Sequence, residues 1–210
     1  MRPFTVLTAV AAPLLRDNID TDAIIPSREM TSVSKTGLAD GLFAGWRYLG
    51  SATGGRDPDP GFVLNQAAYA GTQILLAGTN FGCGSSREHA AWALAEYGIR
   101  AIVAPSFNPI FYGNCIRNGI VPAVLAADRI ARLASAVAPD PQRLRITIDL
   151  SAQAIVGPDG GTDAFPIAEE AREMLLGGLD AIDLTLKRSD DIARFIARDR
   201  TVRNWVYPTA

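Results

Sequence analysis

Residues 74–98, ILLAGTNFGCGSSREHAAWALAEYG, decide the fold of this chain. The first four residues are apolar and predict a buried strand, and the stretch from His89 to Tyr97 predicts a helix that ends at Gly98. Between these elements lie three glycines, Gly78, Gly82 and Gly84. Glycines allow positive φ angles and a close approach of the backbone to a ligand. Because the helix directs its first N–H groups and the positive end of its dipole towards this loop, the loop is a predicted anion site.

The start of this helix supports two interpretations. Ser85 and Glu88 have the spacing of a capping box, in which the serine does nothing more than cap the helix. However, Ser85, Ser86 and Arg87 together exceed what a cap requires, and arginine can hold a carboxylate or a phosphate through two hydrogen bonds. The pattern therefore predicts either a simple cap or an anion site that offers two hydroxyls and a guanidinium.

The next residues repeat the alternation of strand and helix. Ala101–Ala104 predicts a second strand, Ile110–Asn118 a helix that ends at Gly119, and Ile120–Leu125 a third strand. This order predicts parallel strands joined by right-handed crossovers, which is an α/β fold. Ligands bind at the carboxyl ends of such strands, and Gly78–Arg87 follows one of those ends.

The flanking segments complete a prediction of one compact domain over residues 1–210, with residues 200–210 as a tail. The predicted elements are strands over Phe4–Val10, Leu144–Leu150 and Ala154–Val156, and helices over Ala127–Val137, Pro166–Leu176 and Asp190–Arg198. Pro166 is expected at the first position of its helix, and Ser189 is expected to cap the last one.

The glycine-rich stretch 30–61 predicts a mobile substrate-recognition loop, because long loops in compact domains are commonly functional. Phe43, Trp46 and Tyr48 are expected to anchor part of it to the core. Beyond it, Phe62–Leu64 predicts a short strand and Gln66–Tyr69 a turn of helix.

Composition excludes several functional classes. With 48% apolar and 20% charged residues, the 210-residue chain is globular. A net charge of −2 gives no electrostatic case for nucleic acid, and no apolar run approaches the length of a membrane span. The amino-terminal segment lacks a signal-peptide cleavage pattern. Because there are two cysteines and no disulfide framework, a cytoplasmic location is expected.

Known catalytic and cofactor motifs do not fit the glycine loop. It lacks the ending of a P-loop, the third glycine of a dinucleotide site and the G-x-S-x-G of a hydrolase. The single histidine, His89, is expected to be structural, so Ser85 has no obvious base. Cys83 and Cys115 are too few for an iron–sulfur cluster and are expected to be small buried side chains. The acidic run around Asp22 lacks calcium-loop spacing, so we expect no metal on this chain.

The segment NFGCGSSREHA, residues 80–90, resembles the signature of the aconitase C-terminal swivelling-domain family. Three further segments are similar to the small subunits of 3-isopropylmalate dehydratase within that family: Asn18–Pro26, Phe62–Asn65 and Ala104–Asn114. The resemblance extends from near the N-terminus to roughly Asp199. It implies a swivelling β/β/α domain and a hydro-lyase of leucine biosynthesis.

The resemblance also implies roles for individual residues. Ser85 matches the base that removes a proton from a substrate carbon, and Asp22 matches an active-site acid. Ser86 and Arg87 match residues that bind a substrate carboxylate. Gly82, Gly84, Asn80, Asn114 and Gly119 match loop-shaping positions.

Three residues near Asp22 are further candidates for substrate binding. Ile24 and Ile25, with the loop Ser27–Trp46, are expected to contact an isopropyl group. Arg28 lies near the place of a carboxylate-binding arginine of aconitase, but the local sequence differs and its role stays open.

By the same resemblance, a [4Fe–4S] cluster lies on a separate large subunit, and its iron acts as a Lewis acid. This chain is expected to bind no cofactor itself and to act on a dicarboxylate only in complex with that subunit. The implied reaction interconverts 2-isopropylmalate and 3-isopropylmalate through 2-isopropylmaleate. Two alternatives stay open: a related hydro-lyase acting on citraconate or a methyl-substituted malate, and a non-catalytic anion-binding or structural subunit.

Overall fold

A computed structural model describes residues 1–30, 34–84 and 87–207. The strands are β1 (Val6–Ala9), β2 (Ala11–Leu14), β3 (Tyr48–Leu49), β4 (Asp57–Pro58), β5 (Ile74–Ala77), β6 (Ala101–Ala104), β7 (Val121–Val124), β8 (Ile146–Asp149), β9 (Ala154–Val156) and β10 (Thr162–Ala164). The helices are α1 (Thr21–Ile24), α2 (Ala44–Arg47), α3 (Glu88–Tyr97), α4 (Pro109–Arg117), α5 (Ala127–Val137), α6 (Glu169–Gly177), α7 (Ala181–Leu186) and α8 (Ser189–Val202).

A parallel sheet with the order β2-β5-β6-β7 forms the centre of the molecule. The three strands predicted around the glycine loop are confirmed as parallel neighbours. The strand predicted over Phe4–Val10 is confirmed as β1, which belongs to another sheet, and the sequence did not predict that the chain then turns into a second strand, β2. The carbonyl of Val10 marks this change by accepting hydrogen bonds from the N–H groups of Gln73 and Ile74, at 3.1 and 3.3 Å. Pro13 fits in β2 because β2 is an edge strand.

Side chains that alternate along each strand build two apolar clusters, one on each face of the parallel sheet. On one face Leu75 and Ile102 pack with Leu94 of α3 and Phe111 of α4. On the other face Ile74, Leu76 and Val103 pack with α5 and with a second sheet, contributing to a cluster that includes Ile130 and Ile148. The resulting layers are helices, parallel sheet and antiparallel sheet, which confirms the predicted α/β fold of the β/β/α type.

The second sheet is antiparallel and has the order β1-β8-β9-β10. The strands predicted over Leu144–Leu150 and Ala154–Val156 are confirmed as β8 and β9, which pair in the register Ile148↔Ile155. The prediction that Pro166 begins a helix is wrong. Ala168 remains extended, and α6 begins at Glu169, which places Glu169 and Glu170 in the first turn, where the helix dipole favours acids.

Signals at the helix ends explain where the crossover helices stop and start. Gly98 ends α3 with φ +110°, a conformation that favours glycine. Asn108 caps α4 by accepting hydrogen bonds from the N–H groups of Ile110 and Phe111, at 3.0 and 3.4 Å, with Pro109 at the first helical position. Gly119, with φ +73°, then turns the chain into β7.

The described part of the predicted loop, residues 34–61, packs against the core. Phe43 is fully buried and stacks on Trp46 with ring centroids 5.7 Å apart, which confirms both as anchors. Tyr48 is half-buried beneath the guanidinium of Arg56, 5.0 Å from its ring centroid. The expected strand at Phe62–Leu64 is wrong, because Val63–Asn65 forms a 3-10 turn. Mobility of this loop stays a prediction.

The carboxyl-terminal segment differs from everything that precedes it. Neither α7 nor α8 contains a buried residue, and the predicted tail continues α8 to Val202 and adds a 3-10 turn over Asn204–Val206. Ser189 is the first residue of α8 and not its cap, which is Arg188. Within the described ranges, no helix combines the length and apolarity that a membrane crossing requires.

Candidate functional site

The site lies where two loops meet at the carboxyl ends of β2 and β5. The loop after β2 runs parallel to the glycine loop: the N–H of Asn18 donates to Thr79 O at 2.8 Å, and the N–H of Thr21 donates to Cys83 O at 3.0 Å. A parallel bridge also pairs Asp20 with Cys83. These contacts extend the sheet by several residues and bring α1 beside the start of α3.

Two predicted glycines are required by this arrangement. Gly82 has φ +75°, and a Cβ there would overlap the ring of Phe111, which is 1% exposed. Gly84 has φ +85°, and a Cβ there would lie 3.3 Å from Cβ of Asp20. Both positions therefore combine a left-handed backbone with a close neighbour, as expected for loop-shaping residues.

Asn80 shapes the same loop through its own left-handed backbone, with φ +57°. Its side chain donates to Asn18 Oδ1 at 2.8 Å, and its backbone N–H donates to Ser106 Oγ at 2.8 Å. Asn114 acts elsewhere. It is 3% exposed within α4, and its side-chain oxygen accepts from Arg117 of the same helix. Its contacts thus shape the end of α4 and not the glycine loop.

The centre of the site is an ion pair between Arg87 and Asp22, formed between Nη1 and Oδ1. Ser27 joins both residues. Its hydroxyl accepts from Arg87 Nη1 at 2.9 Å and donates to Asp22 Oδ1 at 3.3 Å. The Arg87 side chain is 27% exposed and that of Asp22 is 53% exposed, so a small ligand can reach the cluster formed by Asp22, Ser27 and Arg87.

Local signals position the two charged members of this cluster. Asp20 caps α1 by accepting from the N–H of Ala23 at 2.6 Å, which places Asp22 in the first turn. Arg87 is the extended residue before α3, with φ −116° and ψ 111°. Its backbone therefore lies at the amino-terminal end of a ten-residue helix, where the dipole favours anions.

The capping-box interpretation is wrong. Glu88 is the first residue of α3 and not the third, and its carboxylate accepts from Asn118 Nδ2 at 3.1 Å. Ser85 and Ser86, the predicted base and carboxylate ligand, lie outside the described residues. His89 packs against Trp92 with ring centroids 4.6 Å apart, in agreement with a structural role.

The three predicted substrate-binding residues near Asp22 differ in how far they are exposed. Ile24 and Ile25 are 0% exposed and belong to the core cluster beside α3, so neither side chain reaches the surface in this structure. They bury the inner side of α1 and of the turn that follows it. Arg28 is 44% exposed, and its Nε lies 3.3 Å from Oε1 of the adjacent Glu29.

Sequence reasoning missed Ser27 as an individual site residue. It appeared only as the first residue of a long candidate loop. The available signal was its place directly after Pro26, at the start of a 3-10 turn over Ser27–Glu29. The contact with Arg87 spans 60 positions, so no local pattern reveals it.

The donor set of the described residues does not fit an iron–sulfur cluster. Cys83 is half-buried, whereas Cys115 is fully buried and burial raises the pKa of its thiol, so it stays protonated. Within residues 1–30, 34–84 and 87–207, no three His, Cys, Asp or Glu side chains are grouped to hold a metal ion.

Comparisons with known proteins agree with the geometry. The family model of the aconitase C-terminal domain matches residues 1–128. The 3-isopropylmalate dehydratase small subunit of Cupriavidus necator is 57% identical over 207 residues, which cover 99% of each chain. The small subunit of Methylibium petroleiphilum is 47% identical over 214 aligned positions, covering 100% of this chain and 99% of that one.

A solved structure shows the same relationship. The 3-isopropylmalate dehydratase structure from Methanocaldococcus jannaschii superimposes with a TM-score of 0.64 at 29% identity, covering 90% of this chain and 99% of the other. These matches confirm the resemblance of the NFGCGSSREHA segment. The chain belongs to the aconitase C-terminal domain family and, within it, to the small subunits of 3-isopropylmalate dehydratase.

Proposed function

We propose that this chain is the small subunit of an isopropylmalate isomerase. The reaction removes water from 2-isopropylmalate to give 2-isopropylmaleate and adds water back to give 3-isopropylmalate. The names and full-length identity of the relatives support this assignment. The observation that carries it is Arg87, held by Asp22 and Ser27 at the end of the parallel sheet.

Arg87 binds a carboxylate of the substrate in this proposal. A guanidinium offers five N–H donors in a planar fork that matches a carboxylate. The start of α3 adds its dipole to the same place. Ser86, the residue before Arg87 in the chain, adds a hydroxyl donor to the same carboxylate.

Ser85 removes a proton from one substrate carbon and later delivers a proton to the adjacent carbon. A serine hydroxyl is a weak base, so its deprotonated form needs stabilising positive charge. The guanidinium two residues later and the N–H groups at the start of α3 are the available sources. The elimination breaks one C–H and one C–O bond and forms the double bond of 2-isopropylmaleate. In the hydration step that follows, Ser85 delivers a proton to the carbon that bears the isopropyl group, and water adds its hydroxyl to the neighbouring carbon, so one C–H and one C–O bond form.

The leaving hydroxyl requires a partner. We assign it to a [4Fe–4S] cluster on the large subunit, which supplies a Lewis acid at that oxygen. The active site is then complete only in the complex, because this chain contributes the base and the carboxylate ligands. The free thiols of Cys83 and Cys115 fit a reducing compartment, and we place the enzyme in the cytoplasm.

Recognition of the isopropyl group is assigned to the segment Ser27–Trp46. Ile24 and Ile25 are fully buried in this chain, which supports assigning the contact to other residues of the segment. Met30 and Trp46 of this segment are partly buried against the core and leave part of their surface accessible. One methylene group in such a contact discriminates by about 1–3 kcal/mol, so related malates bind with modestly lower affinity.

Substrate turnover tests this assignment. The chain is assembled without oxygen with a cluster-bearing large subunit, and kcat/KM is measured for isopropylmalate, citraconate and a dimethylmalate. We expect isopropylmalate to be preferred by at least about 10-fold. Turnover of citraconate without turnover of isopropylmalate contradicts the proposal, and so does an assembled complex that acts on none of the three.

A further inference from the structure

We propose that Ser27 is a positioning residue that fixes the orientation of the Arg87 guanidinium. It keeps one edge of that group free for the substrate carboxylate. This inference rests on the proposed function, because it concerns the same carboxylate site. It adds a residue whose effect reaches the substrate through another side chain.

Both contacts of Arg87 converge on one nitrogen. Nη1 donates to Asp22 Oδ1 and to Ser27 Oγ. Across the described ranges of the chain, Nε and Nη2 donate no hydrogen bond to any side chain or carbonyl. The edge that carries Nε and Nη2 presents two parallel N–H donors, which is the geometry that binds a carboxylate through both oxygens.

The hydroxyl of Ser27 is suited to this task because it accepts and donates at once. It accepts from Nη1 at 2.9 Å and donates to Asp22 Oδ1 at 3.3 Å. The bond to Asp22 holds that carboxylate at Nη1. Without it, Asp22 is free to rotate towards a second nitrogen of the guanidinium and to compete with the substrate.

The backbone makes Ser27 available at the correct place. Asp20 starts α1, and Pro26 leads into the 3-10 turn that begins at Ser27. The two partners of Arg87 therefore come from a single short segment, five positions apart. An arginine side chain fixed by two partners loses less rotational freedom when a ligand binds.

Removal of the Ser27 hydroxyl weakens substrate binding more than it slows chemistry. The lost orientation affects the bound substrate and the transition state alike, so KM rises while kcat stays similar. We expect Ser27→Ala to raise KM for isopropylmalate about 5- to 10-fold, with kcat within about twofold of wild type. Ser27→Thr retains a hydroxyl and is expected to restore KM to within about twofold.

A matched control separates this effect on KM from any effect that follows from removing a serine hydroxyl elsewhere in the chain. Ser135→Ala removes an exposed hydroxyl that donates to Ala131 O of the same helix at 3.0 Å. Ser135 lies on α5, on the other face of the parallel sheet from α3. All variants are measured in the assembled complex, and their melting temperatures show whether they fold. Ser135→Ala is expected to match wild type in KM and kcat.

A second measurement uses Asp22→Asn. Because Asp22 and Ser27 act on the same nitrogen, their effects on KM are not independent. Ser27→Ala is expected to raise KM by less than about twofold when Asn already replaces Asp22. The inference is overturned if Ser27→Ala leaves KM unchanged, lowers kcat alone, or acts with equal strength in both backgrounds.

The outcome is independent of the identity of the substrate. Turnover by the wild-type complex tests the proposed function. The ratio of KM values between Ser27→Ala and wild type tests the role of Ser27, and it can be measured with whichever dicarboxylate is turned over.

Discussion

The loops of the site and the carboxyl-terminal helices differ in how far their side chains are buried in the core. Residues 17–22 and 78–84 are joined by backbone hydrogen bonds. Phe81 within the second segment and Phe111 on α4 are fully buried. Residues 181–207 contain no buried side chain, and Phe195 and Trp205 are 49% and 75% exposed. The geometry of Arg87 therefore depends on the core, whereas α8 buries no side chain in it.

The ion pairs of α8 are formed between residues of the helix and the residue that ends it. Arg194 pairs with Asp191, and Arg203 pairs with Asp199 at 2.8 Å. Hydrogen bonds from Arg203 and then from Tyr207 hold the pKa of the Asp199 carboxyl below its usual value. Exposed pairs of this kind contribute little to stability because water screens them. Substitutions should therefore change the free energy of unfolding strongly in the site loops and weakly in α8.

The largest effect is expected from Gly82→Ala. The new methyl group would overlap the buried ring of Phe111, and φ +75° is unfavourable for alanine. We expect a loss of about 4–5 kcal/mol in the free energy of unfolding, measured with urea on the isolated chain.

Gly98→Ala is the matched control for this substitution. Gly98 also has a positive φ, but a Cβ there would meet nothing within 4 Å. Backbone strain alone should then cost about 1–2 kcal/mol. Equal losses for the two variants would show that Gly82 is not in close contact with Phe111.

The next effect compares two phenylalanines. Phe111 is 1% exposed, and Phe111→Ala leaves a cavity that should cost about 3–4 kcal/mol. Phe195 of α8 is 49% exposed, and Phe195→Ala should change the free energy of unfolding by less than about 0.5 kcal/mol. Urea denaturation of both variants tests the contrast, and a large loss for Phe195→Ala would show that α8 packs on the core.

A smaller effect on stability is expected for the contact between Glu96 of α3 and residues 37–39. The carboxylate of Glu96 accepts from the N–H groups of Gly37, Leu38 and Ala39, at 2.6, 2.5 and 2.9 Å. Desolvation raises its pKa, but these three hydrogen bonds outweigh it and lower the pKa below the ordinary 4.5. Glu96→Gln should cost about 1 kcal/mol near neutral pH.

The pH dependence gives the sign of this contribution. Because the pKa is lowered in the folded state, the contribution is complete above pH 4.5 and is lost as the pH falls through the lower folded value. The difference in unfolding free energy between wild type and Glu96→Gln should shrink between about pH 5 and pH 3. Glu170→Gln on the exposed start of α6 is the control, and a difference that grows at low pH contradicts the account.

Local signals were sufficient for the central sheet and for part of the site. The apolar run Ile74–Ala77, the glycines after it and the spacing to Ala101–Ala104 predicted parallel strands and a loop at their carboxyl ends. The position of Arg87 at the start of a predicted helix indicated its place in an anion site. These features depend on a few neighbouring residues, which is why sequence alone revealed them.

The features that sequence reasoning missed depend on distant contacts. Ser27 meets Arg87 across 60 positions. Ile24 lies close to Asp22 in sequence, but the helical turn directs it into the core. Pro166 is a permitted first residue of a helix, yet Ala168 is extended and α6 begins at Glu169. In each case tertiary packing, and not local preference, decides the outcome.

The most direct test of the central claim is kcat for dehydration of isopropylmalate by a complex that carries Ser85→Ala. If Ser85 is the base, kcat falls about 10²–10⁴-fold while assembly with the large subunit and substrate binding persist. Ser135→Ala should leave kcat unchanged in the same assay. A Ser85→Ala complex that retains wild-type kcat contradicts the account, because this chain would then supply no base.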